Sequence, residues 1–352
     1  ATVCVYMLSV LRAPAPLASI SRAAIRPVMT AAAAAMTEEE SFLFDLNGFL
    51  VVRGVFTAEE VAAANAAVDA HAAEELKARG AAALRNAKSG TPMAASGPRM
   101  DMGGMLWWQA DQSKLFRDML THPRLVPYYR ALCGEGYRMD HQPLLVAQGP
   151  DSEGFKLHGG PISGADGVPQ GVFNPELQYR CVHGQLWTSL LAASVQLCDH
   201  QPGDGGFCIV RGSHKLNLPV PTDFADGVGS AFAEHIHHPA TRAGDVVLWS
   251  EATVHGATPW RAERERRVAI YRFAPPNMGY GRGYLDIPPG AMEGLTPLQR
   301  AVLEPPYATR LERPLVTASA AAEEDGATEA VRHLRSEAKK EHDRQTLGTA
   351  YF

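Results

Sequence analysis

"GDVVLWSEATVHGATPW", residues 244–260, is the stretch whose reading decides the fold. It runs as a strand and then as a loop that presents His255. The next stretch, "RAERERRVAIYRF" (261–273), reads as a second strand in which Val268 and Ile270 alternate with Ala269 and Tyr271. Side chains two apart share a face, so Arg266 lies with Val268 and Ile270, and Arg267 lies on the other side. If the branched aliphatics face the core, Arg266 is the arginine that points inward. A buried guanidinium is costly unless paired, and a bound carboxylate is its natural bidentate partner.

Upstream, "FKLHGGP" (155–161) presents a second histidine, His158, at the end of a short apolar run. The residue two positions on, which shares its face, is Gly160 and has no donor. The Gly159–Gly160 pair also has a structural use, as a bulge or a point of close backbone approach.

These stretches belong to a longer β-rich region. From 137 to 275 the chain is a series of short apolar runs separated by turn signals: "YRMDHQPLLVAQG", "FKLHGG", "LWTSLLAASVQLCD", "GGFCIVRGSH", "GDVVLWS" and "RRVAIYRFAP". Many short strands at this spacing predict an antiparallel sandwich or barrel. Before it, "FLFDLNGFLVVRGVF" predicts a short helix leading into a strand at Phe49–Val52. "TAEEVAAANAAVDAHAAEELKA" predicts a helix opened by a Thr57/Glu60 capping box, with Val61, Ala64, Val68 and Ala72 as its apolar stripe. Residues 80–104, rich in Gly, Pro, Ala and Met, read as a loop or lid. "QSKLFRDMLTHPRLVPYYRALCG" predicts one or two amphipathic helices stopped by Gly134. The expected organisation is a leader (1–36), one mainly β domain with flanking helices (37–317), and a linker with a charged, solvent-exposed C-terminal helix (318–352).

The 352 residues are 46% hydrophobic and 20% charged, which suits a globular protein with an ample core. A net charge of -5 offers no basic field for nucleic acid, and no run of apolar residues is long enough to predict a membrane span. Cys4, Cys133, Cys181, Cys198 and Cys208 are scattered and read as reduced, mostly buried thiols. The leader carries Arg12, Arg22 and Arg26 and no acidic residue, amid much Ala, Ser and Pro. That is the composition of a plastid or mitochondrial transit peptide; the alternative is a disordered or untranslated extension of a cytoplasmic protein starting at Met36.

Four features in order give the chain a family likeness: "DLNGFLVVRGVFTAEEV" (45–61), "VQLCDHQPGDGGFCIVRGSHK" (195–215), the His255 stretch "AGDVVLWSEATVHGATPW" (243–260), and Arg266 eleven residues beyond that histidine. The chain resembles the phytanoyl-CoA dioxygenase-like branch of the iron(II)/2-oxoglutarate oxygenases over most of its length. The resemblance implies a double-stranded β-helix, a jelly roll, holding iron(II) on two histidines and a carboxylate, with 2-oxoglutarate as cosubstrate and O2 as oxidant. It implies His158 and His255 as iron ligands, and Arg266, eleven residues beyond His255, as the residue that holds the C5 carboxylate of 2-oxoglutarate. Gln185 and Trp187, in "HGQLWTSL", are expected near the pocket mouth, Gln185 against cosubstrate or substrate and Trp187 there or in the core. The implied reaction is hydroxylation of an unactivated C–H bond in a small, organic, lipid-like or other substrate.

The departure from the family is the carboxylate, because His-x-Asp or His-x-Glu is here His158-Gly159-Gly160. Three explanations stand open. The vacancy at Gly160 admits a chloride, as in the iron halogenases; a carboxylate arrives from Glu251, Asp140 or Asp166; or the iron is held by two histidines and water. A non-catalytic β-helix that only binds is the reading from another class. Glu251, four residues before His255, shares a face with it if the turn is helical. His214 is expected to cap a turn, and His235, His237 and His238 to be surface histidines. Trp107 and Trp108 close over a substrate or bury the lid.

Overall fold

The computed structural model describes residues 35–79, 87–97, 99–162, 173–280, 287–306, 316–322 and 336–348. Helix α1 (Glu38–Asn47) starts at a Thr37/Glu40 capping box and stops at Gly48, whose φ of 79° only glycine adopts freely. Strand β1 (Phe49–Val52) follows directly. Helix α2 (Ala58–Arg79) opens on the reciprocal Thr57–Glu60 pair and buries Val61, Ala64 and Val68, as its apolar stripe requires. After the short β2 (Met100–Met102) come α3 (Ala110–Asp118) and α4 (Val126–Cys133), the latter ended by Gly134.

The β region then runs β3 (Arg138–Gln148), β4 (Phe155–His158), β5 (Tyr179–Val182), β6 (Gln185–Thr188), β7 (Leu191–Gln196) and β8 (Gly206–Val210). It closes with β9 (Ile236–His237), β10 (Val246–Ser250), β11 (His255–Thr258) and β12 (Arg266–Ala274). A six-stranded sheet has the order β1-β10-β7-β12-β3-β2, and a four-stranded sheet the order β4-β11-β8-β9. Their pairings are all antiparallel. This is the jelly roll expected.

Alternation divides the large sheet into two faces. Along β12, Ala269, Tyr271 and Phe273 join the core under the helices, with Phe44 of α1, Val68 of α2, Phe116 of α3 and Tyr129 of α4. Tyr271 and Phe273 are fully buried, each contributing about 1.5–3 kcal/mol by removal from water. Ile270 faces the other way, onto Phe49, Ala192, Val247 and Trp249 of its own sheet and Ile209 of the smaller one. Those contacts close the two sheets over a shared interior. Arg266 and Arg272 have the parity of Ile270, and Arg267 has the opposite parity.

Three expectations need correction. Within the predicted 80–104 loop, Met100–Met102 pairs with Leu145–Ala147 as an edge strand; its three residues are too few to show alternation, and 80–86 and 98 lie outside the described residues. The Ala-rich stretch read as linker includes a short helix, Ala318–Ala322, whose Ala318 is buried in the main core. Cys181 is exposed, whereas Cys133 and Cys208 are buried and Cys198 half-buried; these four are free thiols, and Cys4, with the leader through residue 34, lies outside the described residues. The C-terminal helix is described over Glu337–Leu347 and is mostly exposed, with Asp343 buried and bridged to Lys339. Among the described residues no helix is long and apolar enough to cross a membrane.

The turn after β4 is built on its two glycines. Gly159 and Gly160 have φ of 89° and 96°, a region that side chains rarely enter. A Cβ on Gly159 would also lie 2.7 Å from the carbonyl oxygens of both Glu251 and Thr253, whereas one on Gly160 would meet only Val254 at 3.5 Å and the Ile162 carbonyl at 3.7 Å. The pair is the close backbone approach read from the sequence. Gly160→Ala is therefore expected to cost the backbone strain alone, of order 1–3 kcal/mol. Gly159→Ala is expected to cost clearly more, because rigid backbone blocks it; equal denaturation midpoints for the two variants would contradict this.

Candidate functional site

Strands β4 and β11 pair so that His158 stands directly opposite His255, with a bulge before the next pair, Ala257 and Phe155. The two ring centroids are 4.2 Å apart. Each imidazole is oriented by a carbonyl two residues back in the chain. His255 Nδ1–H donates to Thr253 O at 2.7 Å, and His158 Nδ1–H donates to Lys156 O at 3.2 Å. With Nδ1 protonated, the neutral ring presents the lone pair of Nε2, which is the form a metal takes. Burial, helped by the neighbouring His255, pushes His158 down to about 3; burial also pushes His255 down. Both rings are neutral at ordinary pH.

The third member is Glu251. It lies in the turn after β10, closed by Thr253 N–H donating to Ser250 O at 2.8 Å. That turn is tied down on three sides. Glu251 N–H donates to Leu190 O, Thr253 Oγ1–H to Gly48 O, and Val254 N–H to Ser213 Oγ. The Glu251 carboxylate is buried; its Oε2 is 3.4 Å from His255 Nε2, and its Oε1 accepts from Arg272 Nε at 2.8 Å. Burial alone would raise its pKa, but the Arg272 guanidinium, by its charge and its hydrogen bond, more than offsets this and holds it at about 2. One donor atom each from His158, Glu251 and His255 falls within 4.8 Å of the others. Two neutral imidazoles and an ionised carboxylate, so placed, are the donor set of a facial 2-His-1-carboxylate centre.

Arg266 lies on the interior face, 4% exposed. Its Nη1–H donates to Gln148 Oε1 at 2.6 Å, and Gln148 is itself fixed by donating to Glu153 O. Its Nε is buried and has no hydrogen-bond partner among the described residues. Burial lowers its pKa to about 10, so the guanidinium keeps its charge at neutral pH while its hydrogen-bond partner is a neutral amide. Arg267 behaves as its opposite parity predicts, paired outside with Asp69 and Glu265.

The other residues singled out in the sequence fall elsewhere. Asp140 is held at about 2: burial opposes the shift, but bonds from His141, the Tyr280 N–H and Arg138 outweigh it, and it takes no part in the histidine cluster. Asp166 lies outside the described residues. Gln185 is exposed on β6, lining a separate cavity of about 1010 Å³ with Arg130 and Trp187, so the expectation that it touches cosubstrate at the histidine site is not met. The β5–β6 hairpin forms its own two-stranded sheet, which carries Gln185 away. Trp187 packs under the Arg180 guanidinium at 4.3 Å. Trp108 stacks on His71 at 4.1 Å, and Trp107 Nε1–H donates to Gln142; both pack against the main core. His214 is buried with Nε2–H donating to Asp45 O, a structural role. His237 accepts from Arg211, His238 donates to Phe207 O, and His235 is exposed at a helix end.

Beside the cluster is a cavity of about 530 Å³, with His158, Gly160 and Glu251 on one side and Phe155, Phe173 and Tyr280 among its other walls. The sequence reading missed Arg272. Its signal was in "RRVAIYRF", where the alternation that selects Arg266 also places Arg272 on the interior face.

The model of the phytanoyl-CoA dioxygenase (PhyH) family matches residues 44–268. No curated protein matches the chain. Among solved structures, HygX from Streptomyces hygroscopicus with nickel, 2-oxoglutarate and hygromycin B bound is 25% identical, with a TM-score of 0.54 over 70% of this chain and 90% of that one. HygX with nickel and 2-oxoglutarate bound gives 25% identity and a TM-score of 0.55 over 72% and 97%. HygX with iron bound, at 24% identity and a TM-score of 0.54 over 72% and 97%, shares the fold. With its family model spanning both histidines and Arg266, the chain belongs to the phytanoyl-CoA dioxygenase family.

Proposed function

We propose that this non-haem oxygenase hydroxylates an unactivated C–H bond of a small organic substrate held in the cavity beside His158. Iron(II) would be held by His158, Glu251 and His255, and the far carboxylate of 2-oxoglutarate by Arg266. The observation that carries this reading is the convergence of three donor atoms within 4.8 Å, with the Nδ1 of each imidazole engaged by a backbone carbonyl. The unpartnered Nε of Arg266 supports the cosubstrate assignment, since a buried charged donor without a partner is costly and a carboxylate would complete it. The likeness to HygX, which binds 2-oxoglutarate together with nickel, supports the same pairing of metal and cosubstrate.

Bound together with O2, iron(II) and 2-oxoglutarate supply the oxidising power for the C–H bond. The chain's own contributions are narrower. The Lys156 and Thr253 carbonyls fix the tautomer of each histidine. Gln148 steadies the guanidinium of Arg266. The Gly159–Gly160 turn lets β4 pass close enough to the 251–253 backbone for His158 and Glu251 to meet.

Halogenation at the Gly160 position is the less favoured reading. The cluster has its carboxylate in Glu251, and the atoms a Cβ on Gly160 would meet are a Val254 methyl and a carbonyl oxygen, neither of which attracts chloride. A purely binding role is disfavoured too, because nothing structural requires two neutral imidazoles around a buried carboxylate.

The anaerobic iron(II)/2-oxoglutarate charge-transfer band tests this without knowledge of the substrate. The wild-type chain is expected to show the band, EDTA to remove it and added iron(II) to restore it. His255→Ala should lose both the band and succinate formation, and wild-type succinate yields from that variant would sink the assignment. Arg266→Gln should keep metal binding while weakening 2-oxoglutarate roughly 10-fold or more, the worth of a charge-assisted hydrogen bond. Chlorinated product in chloride buffer would favour the halogenase instead.

A further inference from the structure

The third donor of the centre comes from a different part of the chain than the family pattern places it, and something must aim it. Glu251 sits on a turn, and its long side chain gives up about 1.5–2 kcal/mol of rotamer freedom to hold one orientation. Among the described residues, the hydrogen bond to its carboxylate comes from Arg272 Nε, at 2.8 Å on Oε1. We propose that Arg272 is a positioning residue for the metal centre, holding Glu251 by Oε1 so that Oε2 faces the two imidazoles. This rests on the reading of His158, Glu251 and His255 as the metal ligands.

Arg272 is suited to the task by its place in the sheet. It lies in β12 between β7 and β3, opposite Ala192 on one side and His141 on the other, so its backbone is fixed by two neighbours. Its parity sends the side chain to the interior face, where Ile270 precedes it on the same strand. The guanidinium is one-fifth exposed and the Glu251 side chain 6% exposed. The bond is therefore mostly shielded from water, where a charge-assisted contact holds geometry as well as energy.

The two interior arginines of β12 divide the work. Arg272 has its charge matched by Glu251, and the guanidinium of Arg266 bonds to the uncharged Gln148 with Nε left over. Arg266 is thus the one available to a bound carboxylate. Arg272 serves a ligand that is already part of the chain. A partner that orients a metal ligand from outside the ligand set commonly affects metal affinity 10–100-fold.

The test is a double-mutant cycle read by metal binding. Apoprotein of the wild type, Arg272→Met, Glu251→Gln and the double variant is titrated with Co(II), and the Kd and the visible ligand-field spectrum are recorded. Arg272→Met is expected to weaken Co(II) roughly 10–100-fold and to shift the spectrum toward that of Glu251→Gln. In the Glu251→Gln background it should have no further effect, because it acts through that carboxylate. Should Arg272→Met not fold, Arg272→Lys serves in the same cycle, with a smaller loss and the same non-additivity expected. Additive losses, or full affinity in the Arg272 variant when Glu251→Gln is weakened, would overturn the positioning role. An unchanged Kd and spectrum in Glu251→Gln would overturn the ligand assignment itself.

Discussion

The site depends on one register, the antiparallel pairing that sets His255 of β11 opposite His158 of β4. Because side chains alternate along a strand, a slip of one residue would turn His255 out of the interior and dissolve the cluster. Register is pinned from the other side by β8, where Ile209 stands opposite His255 and is buried in the shared interior. The same orienting device then acts twice, a backbone carbonyl two residues back accepting from Nδ1. Two strands thus deliver two rings with their Nε2 lone pairs free, and no side chain is needed to set the tautomer.

Charge explains why the remaining residues are where they are. Burial disfavours the charged form of a carboxylate as enclosed as Glu251, and the Arg272 guanidinium beside it keeps it ionised. The interior then holds a second guanidinium, Arg266, bonded to an amide. Among the described residues, then, one interior arginine of this strand is matched by a carboxylate and the other is bonded to an amide. Burial strengthens both contacts, and it makes a guanidinium N–H without a hydrogen-bond partner costly.

Much of this was legible in the residues themselves. Period-two alternation in 266–271 separated Arg266 from Arg267, and the structure places Arg267 outside with Asp69 and Glu265. The Thr57/Glu60 capping box and the stripe behind it located α2, since both are local signals. The third donor was harder. Glu251 stood among three candidate carboxylates, because its relation to His255 depends on a turn held by Gly48, Ser213 and Leu190, contacts from distant parts of the chain. Gln185 failed for the complementary reason. Its neighbours in sequence suggested a pocket mouth, but among the described residues its strand pairs with β5 alone, in a separate hairpin. The place of Arg272 likewise became meaningful only once Glu251 was known to reach it.

The measurement that bears most directly on the account is the structure of the anaerobic iron(II)/2-oxoglutarate complex in chloride buffer, resolved at the metal. The account predicts iron bound by His158 Nε2, His255 Nε2 and Glu251 Oε2, with Arg272 on Oε1 and the cosubstrate's far carboxylate on Arg266. Iron held by the two imidazoles alone, with chloride or water on the Gly160 side and Glu251 turned away, would contradict it.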